Sequence, residues 1–311
     1  MIGEKLLFVI TSCFYYKHCV TPLSRTPLLS NDFDSCRRHS SHLNTCGRPA
    51  IPPMVNARIV NGEAAKAHSW PWQVSMQSQP TPTFAHTCGG TLIHRHWVMT
   101  AAHCFIRWQM CLGKHNLTLS EPGQQCFGVQ GIYRHKGFNY PTSPTVEFDI
   151  ALVRLDGEVT PSDHVHFACL PPIEEVLPEG KTCYATGWGD ETAPKASETL
   201  NQVALPVVPY DTCKRMDYWW FQVKSSMICA GYNLPDELKS VCQGDSGGPL
   251  VCQDGPTGPW EVHGITSFGP IGCIMNKKPS VFTRTSFRIH FGLLTDLDLK
   301  LNKRPKAFCF E

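Results

Sequence analysis

Gly244-Asp245-Ser246-Gly247-Gly248-Pro249 sets a serine among glycines on a turn. Without Cβ atoms the flanking residues can adopt positive φ, and a substrate backbone can approach closely. The hydroxyl is a candidate nucleophile. A serine alcohol is weak at its own pKa, so it requires a base and a third group to orient that base. Two apolar strands offer them. Thr100-Ala101-Ala102-His103-Cys104 follows the run Trp97 to Met99 and leaves a histidine between small residues, while Phe148-Asp149-Ile150-Ala151-Leu152 opens a strand with a carboxylate. Each is weak alone: one of 14 histidines is more often exposed or satisfied than a base, and an aspartate at a strand start is usually turn chemistry. In the order His103, Asp149, Ser246 the three match one of the chain orders of the Ser-His-Asp triad.

The whole chain narrows the setting. Its 311 residues, 42% hydrophobic, suffice for one large domain or two small ones. A formal net charge of +2 provides no basic face, so nucleic acid is not expected as a partner. Sixteen cysteines would be a liability in a reducing cytosol and point to disulfides in an oxidising, extracellular compartment. Zinc sites are the competing use, but no closely spaced cysteine pair is followed by another at zinc-finger or zinc-ribbon spacing. No cofactor or metal is expected. Residues 1–16 are weakly signal-like, with a short apolar run and no clear small-residue cleavage site. No run approaches the ~20 apolar residues of a membrane span.

Residues 17–58 read as a leader and activation peptide. Its first part is rich in Ser, Pro, Arg and His without periodicity. Cys46-Gly47-Arg48-Pro49-Ala50-Ile51-Pro52-Pro53 follows, then Asn56-Ala57-Arg58 and Ile59-Val60-Asn61-Gly62. Cleavage after Arg58 would free the α-amino group of Ile59. From there onward short apolar runs such as Trp72 to Met76, Ile150 to Leu155, Gln202 to Val208 and Val262 to Ser267 are broken by Gly, Pro, Asn and Asp. That spacing predicts an all-β barrel or sandwich protein.

The motifs TAAHC, FDIAL and GDSGGP, with IVNG after an arginine and GWG at Gly187 to Gly189, resemble chymotrypsin-type serine proteases over about residues 46–291. CGRPAIPP and SWPWQVSMQ are similar to chymotrypsinogens, while TSFG (Thr266 to Gly269) and KPSVFTR (Lys278 to Arg284) are similar to pancreatic elastases. The resemblance implies two packed six-stranded antiparallel β-barrels, about 59–168 and 169–284, with the active site in the cleft between them. It also implies a C-terminal helix anchored by Ile289 and Phe291. An atypical tail, 292–311, has no counterpart in the family.

What the resemblance implies for function is a secreted endopeptidase made as a zymogen, with polypeptide substrates, an activating trypsin-like protease and protein inhibitors as partners. His103, Asp149 and Ser246 would be catalytic. The N–H groups of Gly244 and Ser246 would form the oxyanion hole, and Asp245 would pair with the new ammonium at Ile59. Pocket positions map to Ser240 at the base, Val241 beside it, and Gly269 and Ser280 on the walls. Ser267 and Phe268 would lie along the substrate backbone. Trypsin-like enzymes carry an aspartate where Ser240 stands, so cleavage after apolar residues such as Leu or Met is expected. The implied disulfides are Cys46–Cys169, Cys88–Cys104, Cys183–Cys252, Cys213–Cys229 and Cys242–Cys273. Cys111 and Cys126 depart from the chymotrypsin pattern but bracket one loop, which predicts a sixth; Cys36 and Cys309 are among the four left over. Lys114 and Gln124 stand where calcium-binding relatives place carboxylates, and Asn116-Leu117-Thr118 is a glycosylation sequon. Two other readings stand beside this one. An inactive relative would serve as a binding module, and an α/β-hydrolase would use Gly244 to Gly248 as its nucleophile elbow, with His263 or His290 downstream.

Overall fold

Strand β2 (Gln73–Ser78) shows how the sequence builds two layers at once. Val74 and Met76 are wholly buried in the main hydrophobic core. On the alternate positions Gln73 and Ser75 are equally enclosed but polar, and they face hydrogen-bonding partners. In the computed structural model residues 46–55, 62–78, 84–104, 108–190, 197–232 and 239–287 are described. The segment 1–45, the Arg58–Ile59 cleavage point, Cys36, Cys309, the expected C-terminal helix with Ile289 and Phe291, and the tail 292–311 lie outside the described residues.

The first sheet contains β2, β3 (Ala85–His94), β4 (Trp97–Thr100), β5 (Trp108–Leu112), β6 (Gln125–Phe127), β7 (Val129–Arg134) and β8 (Ala151–Leu155). Its order is β6-β5-β2-β3-β4-β8-β7. The edge strands β6 and β7 are separated only by Gly128, so they act as one strand that links both edges into a six-stranded ring. The second sheet contains β9 (Thr182–Gly187), β10 (Asn201–Val208), β11 (Met227–Ala230), β12 (Pro249–Gln253), β13 (Trp260–Phe268) and β14 (Ser280–Arg284). It closes through β9, which pairs with both β10 and β12. β1 (Glu63–Ala64) precedes the first barrel in the chain yet pairs with β10 of the second. The strand pairings are antiparallel, and the one short α-helix among the described residues is α1 (Tyr210–Cys213). No helix there is long and apolar enough to cross a membrane. The α/β-hydrolase reading therefore fails: it needs a helix-wound parallel sheet with its serine after a strand, whereas Ser246 stands on the turn before β12.

The barrels meet where side chains are missing. A Cβ on Gly89 would stand 2.8 Å from Gly248 Cα, so only glycines allow β3 to lie flat against the turn carrying Ser246. Gly89 N–H donates to Ser246 O at 2.7 Å, and Thr186 Oγ1 donates to Gln73 Oε1 at 2.6 Å across the same seam. Trp70 and Trp260 pack edge to face at 4.9 Å between centroids, and Trp70 Nε1–H donates to Gln202 Oε1 at 2.8 Å. Disulfides join Cys46–Cys169, Cys88–Cys104, Cys111–Cys126, Cys183–Cys252, Cys213–Cys229 and Cys242–Cys273. Cys111 and Cys126 are direct partners in the β5–β6 ladder, which explains how a loop-bracketing pair can bond.

Candidate active site

Asp149 enters the site because it stands just before β8, and β8 pairs with β4, whose end leads to His103. Its carboxylate has no solvent exposure. Oδ1 accepts the backbone N–H of His103 at 2.9 Å, and Oδ2 accepts from His103 Nδ1 at 2.7 Å and from Ser267 Oγ at 2.6 Å. Thr283 Oγ1–H holds the Asp149 carbonyl at 3.0 Å. Three donors on one buried carboxylate hold it in place through charge-assisted hydrogen bonds. Burial alone would depress the pKa of His103, but the hydrogen bond and the charge of Asp149 outweigh it and raise the value.

Ser246 is half-buried on the turn seated against β3. Gly89 binds that turn through its N–H and accepts Thr100 Oγ1–H through its carbonyl at 2.8 Å, three residues before His103. The turn and the histidine thus share one strand as anchor. The Ser246 hydroxyl has no hydrogen-bond partner among the described residues, and the near neighbour of His103 Nε2 is Cys104 Sγ at 3.8 Å. Asp149 orients the imidazole, and no hydrogen bond joins that ring to the Ser246 alcohol among the described residues. Within the turn, Asp245, Gly247 and Gly248 donate their N–H groups to Cys242 O, Thr266 O and Asp245 O. The N–H groups of Gly244 and Ser246 find no partner among the described residues, which leaves two donors for an incoming oxyanion.

Asp245 points the other way. Its Oδ1 accepts from Gly189 N–H and its Oδ2 from Cys242 N–H, both at 2.8 Å. A Cβ on Gly189 would fall 2.5 Å from that carboxyl, so the GWG motif leaves room for it. Burial pushes the Asp245 carboxyl up to about 6, against those two hydrogen bonds, with no compensating cation among the described residues. It borders a cavity of about 840 Å³ whose rim includes Gly62, Gly187 and Gln243.

The residues expected to line the substrate pocket converge. Ser240 Oγ and Ser280 Oγ are 2.9 Å apart, and Val241 N–H donates to Ser280 Oγ at 3.1 Å. A Cβ on Gly269 would come 3.7 Å from Ser240 Oγ. Val241 packs into the core of the second barrel. Phe268 lies edge-on against Trp219 at 5.3 Å.

Sequence reasoning passed over His86 and Trp219. His86 Nδ1 accepts from Ser75 Oγ at 2.9 Å, and Nε2 reaches Gly244 O at 3.0 Å. Burial lowers the His86 pKa to about 4, so the ring is neutral at pH 7 and its Nε2–H is the donor to that carbonyl. Nothing marks His86 among 14 histidines except its place two residues before Cys88. Trp219 was missed because an aromatic beside α1 reads as core.

The implied cation loop carries its own cation. Lys114 Nζ donates to Leu119 O at 2.7 Å and to Gln124 Oε1 at 3.1 Å, while Glu121 accepts the N–H groups of His115 and Asn116. In the sequon, Asn116 is half-buried and its Oδ1 accepts from Thr118 N and Oγ1.

A family described as Trypsin matches residues 59–289. The chain is 45% identical over 253 residues to chymotrypsin-C of Bos taurus, covering 79% of this chain and 91% of that protein. Against chymotrypsin-C of Rattus norvegicus it is 44% identical over 247 residues, 78% and 90% of the two chains. Chymotrypsin-like elastase family member 1 of Rattus norvegicus is 44% identical over 239 residues, 75% of this chain and 88% of that one.

Proposed function

The chain belongs to the trypsin family and is a serine endopeptidase, and we propose that it is secreted as a zymogen, activated by cleavage after Arg58, and cuts after medium to large apolar residues. The observation that carries this is the Asp149 carboxylate, buried and bound at once to His103 and Ser267. Such a carboxylate fixes the imidazole with Nδ1–H toward it and Nε2 free to accept a proton.

In the proposed reaction His103 Nε2 takes the proton of Ser246 Oγ as that oxygen attacks the peptide carbonyl. The N–H groups of Gly244 and Ser246 receive the developing oxyanion, each worth ~3 kcal/mol. His103 then returns its proton to the leaving amine, and water repeats the sequence on the acyl-enzyme. Asp149 stabilises the imidazolium throughout. No metal or cofactor takes part in these steps.

Activation would bring a cation to Asp245. Gly62, close behind Ile59, lines the same cavity as Asp245, which supports docking of the new ammonium there. An uncompensated buried carboxylate gains several kcal/mol from such a partner. Substrate choice follows from the serines at 240 and 280: a buried Lys or Arg head would find hydroxyls but no counter-charge. Ser267 and Phe268 at the end of β13 would pair with an extended substrate backbone. Secretion agrees with six disulfides. An activating trypsin-like protease, protein inhibitors and a glycan on Asn116 complete the reading.

The test is labelling by a serine-directed phosphonate before and after cleavage at Arg58. Strong labelling only after cleavage, lost in Ser246→Ala, is the expected result. Absence of labelling in the cleaved protein would favour a non-catalytic binding module. A peptide panel in which Arg is preferred over Leu would overturn the specificity.

A further inference from the structure

On β13 and the segment before β9, Glu175, Glu261 and His263 offer ligand atoms that all lie within 4.8 Å of one another. We propose that these three residues form a binding site for a zinc-type divalent cation.

The site is built rather than incidental. Glu261 and His263 are two residues apart on β13, with His263 at the point where the register against β12 slips. Glu175 comes from the segment joining the barrels and is held over them by backbone bonds. Glu174 N–H donates to Ser286 O at 2.7 Å, Ser286 Oγ–H to Glu175 O at 2.8 Å, and Thr285 N–H to His263 O at 3.0 Å. His263 is 3% exposed, its Nε2 lies 3.3 Å from Glu261 Oε2, and its Nδ1 has no partner among the described residues. Glu175 Oε2 is likewise buried without a partner. A buried carboxylate oxygen ordinarily has a partner, so the orphaned Glu175 Oε2 points to a missing cation or donor beside it. The neighbouring cation, Lys181, is committed to Asp254 at 2.6 Å.

The donor set selects the ion. Calcium takes six to eight oxygens, whereas one imidazole with two carboxylates suits zinc. Around a tetrahedral zinc, bonds of about 2.0–2.2 Å place two donors roughly 3.3–3.6 Å apart, so donors now within 4.8 Å of one another must draw in by about 1 Å. Glu261, with a quarter of its side chain exposed, has the freedom to close that gap, and its open side leaves a position for water. A bound ion would fasten the segment between the barrels to β13.

The experiment uses the full uncleaved chain as Ser246→Ala, stripped with EDTA and titrated with zinc chloride by calorimetry, with thermal unfolding followed in parallel. One equivalent should bind and raise the Tm, and calcium chloride should do neither. Glu261→Gln and Glu175→Gln should each weaken binding by more than the roughly 10–100-fold that loss of a mere supporting partner costs. His263→Ala should abolish it; if that variant fails to fold, the two glutamine variants decide. Failure of the parent to bind zinc, or equal binding in parent and glutamine variants, would overturn the site and leave an ordinary buried His–Glu pair. Because the chain is uncleaved and lacks its nucleophile, neither outcome depends on the protease reading.

Discussion

In the uncleaved chain Asp245 and His86 should drive stability in opposite directions over the same pH range, and Asp245→Asn should separate them. Asp245 is raised from 3.8 to about 6. A carboxyl raised on folding holds its proton in the native state after the unfolded chain has lost it. Its contribution is therefore full below 3.8 and is lost as pH rises through about 6. Roughly two units at ~1.4 kcal/mol each make this about 3 kcal/mol. His86 is lowered from 6.5 to about 4, so the unfolded chain binds the extra proton, and stability is gained as pH rises across that window. That gain is also about 3 kcal/mol by the same conversion. The two nearly cancel. Urea unfolding of the uncleaved Ser246→Ala chain, followed by tryptophan fluorescence between pH 4 and 7, should show this pair contributing little net slope. Adding Asp245→Asn removes the falling component, so stability relative to the parent should rise by about 3 kcal/mol across the window. Parallel profiles would refute the reasoning, because they would mean that Asp245 is not desolvated in the precursor. After cleavage the expected ammonium at Ile59 reverses the sign: a paired Asp245 is depressed, and its contribution is lost as pH falls.

Three further outcomes are expected. Since His103 must be neutral to act, activity should fall as pH drops through its raised pKa; Asp149→Asn removes both influences that raise it and leaves burial, so the acid limb of residual kcat/KM should move to lower pH. Ser240→Asp places a carboxylate beside Ser280, and a counter-charge worth ~3 kcal/mol would shift the Arg-to-Leu ratio of kcat/KM by about 100-fold toward Arg. An unchanged ratio in a peptide panel would show that this position does not touch the substrate side chain. Calcium should leave the Tm of the parent unmoved because Lys114 Nζ already fills the loop, whereas Lys114→Glu should make the Tm rise with calcium.

What the chain order made legible was local chemistry and its partners in type. Short apolar runs bounded by turn residues announce barrels, and His103, Asp149 and Ser246 carry side chains whose chemistry is recognisable without coordinates. Strand alternation survives in the sequence because burial on one face is a local constraint. The pairing of distant residues is not local, and there the tertiary structure decided. It took β1 from the head of the first barrel and placed it on the second. It made His86 a neutral donor to Gly244, which no spacing of histidines foretells. It bound the His103 ring to the Asp149 carboxylate and Ser267 to the same oxygen, a convergence that no one of their motifs shows. And it gathered Glu175, Glu261 and His263 from an interbarrel segment and one strand, a donor set invisible to any search for closely spaced ligands. Residue types are written along the chain, whereas burial, protonation and the company each side chain keeps arise only once segments far apart in sequence exclude water together.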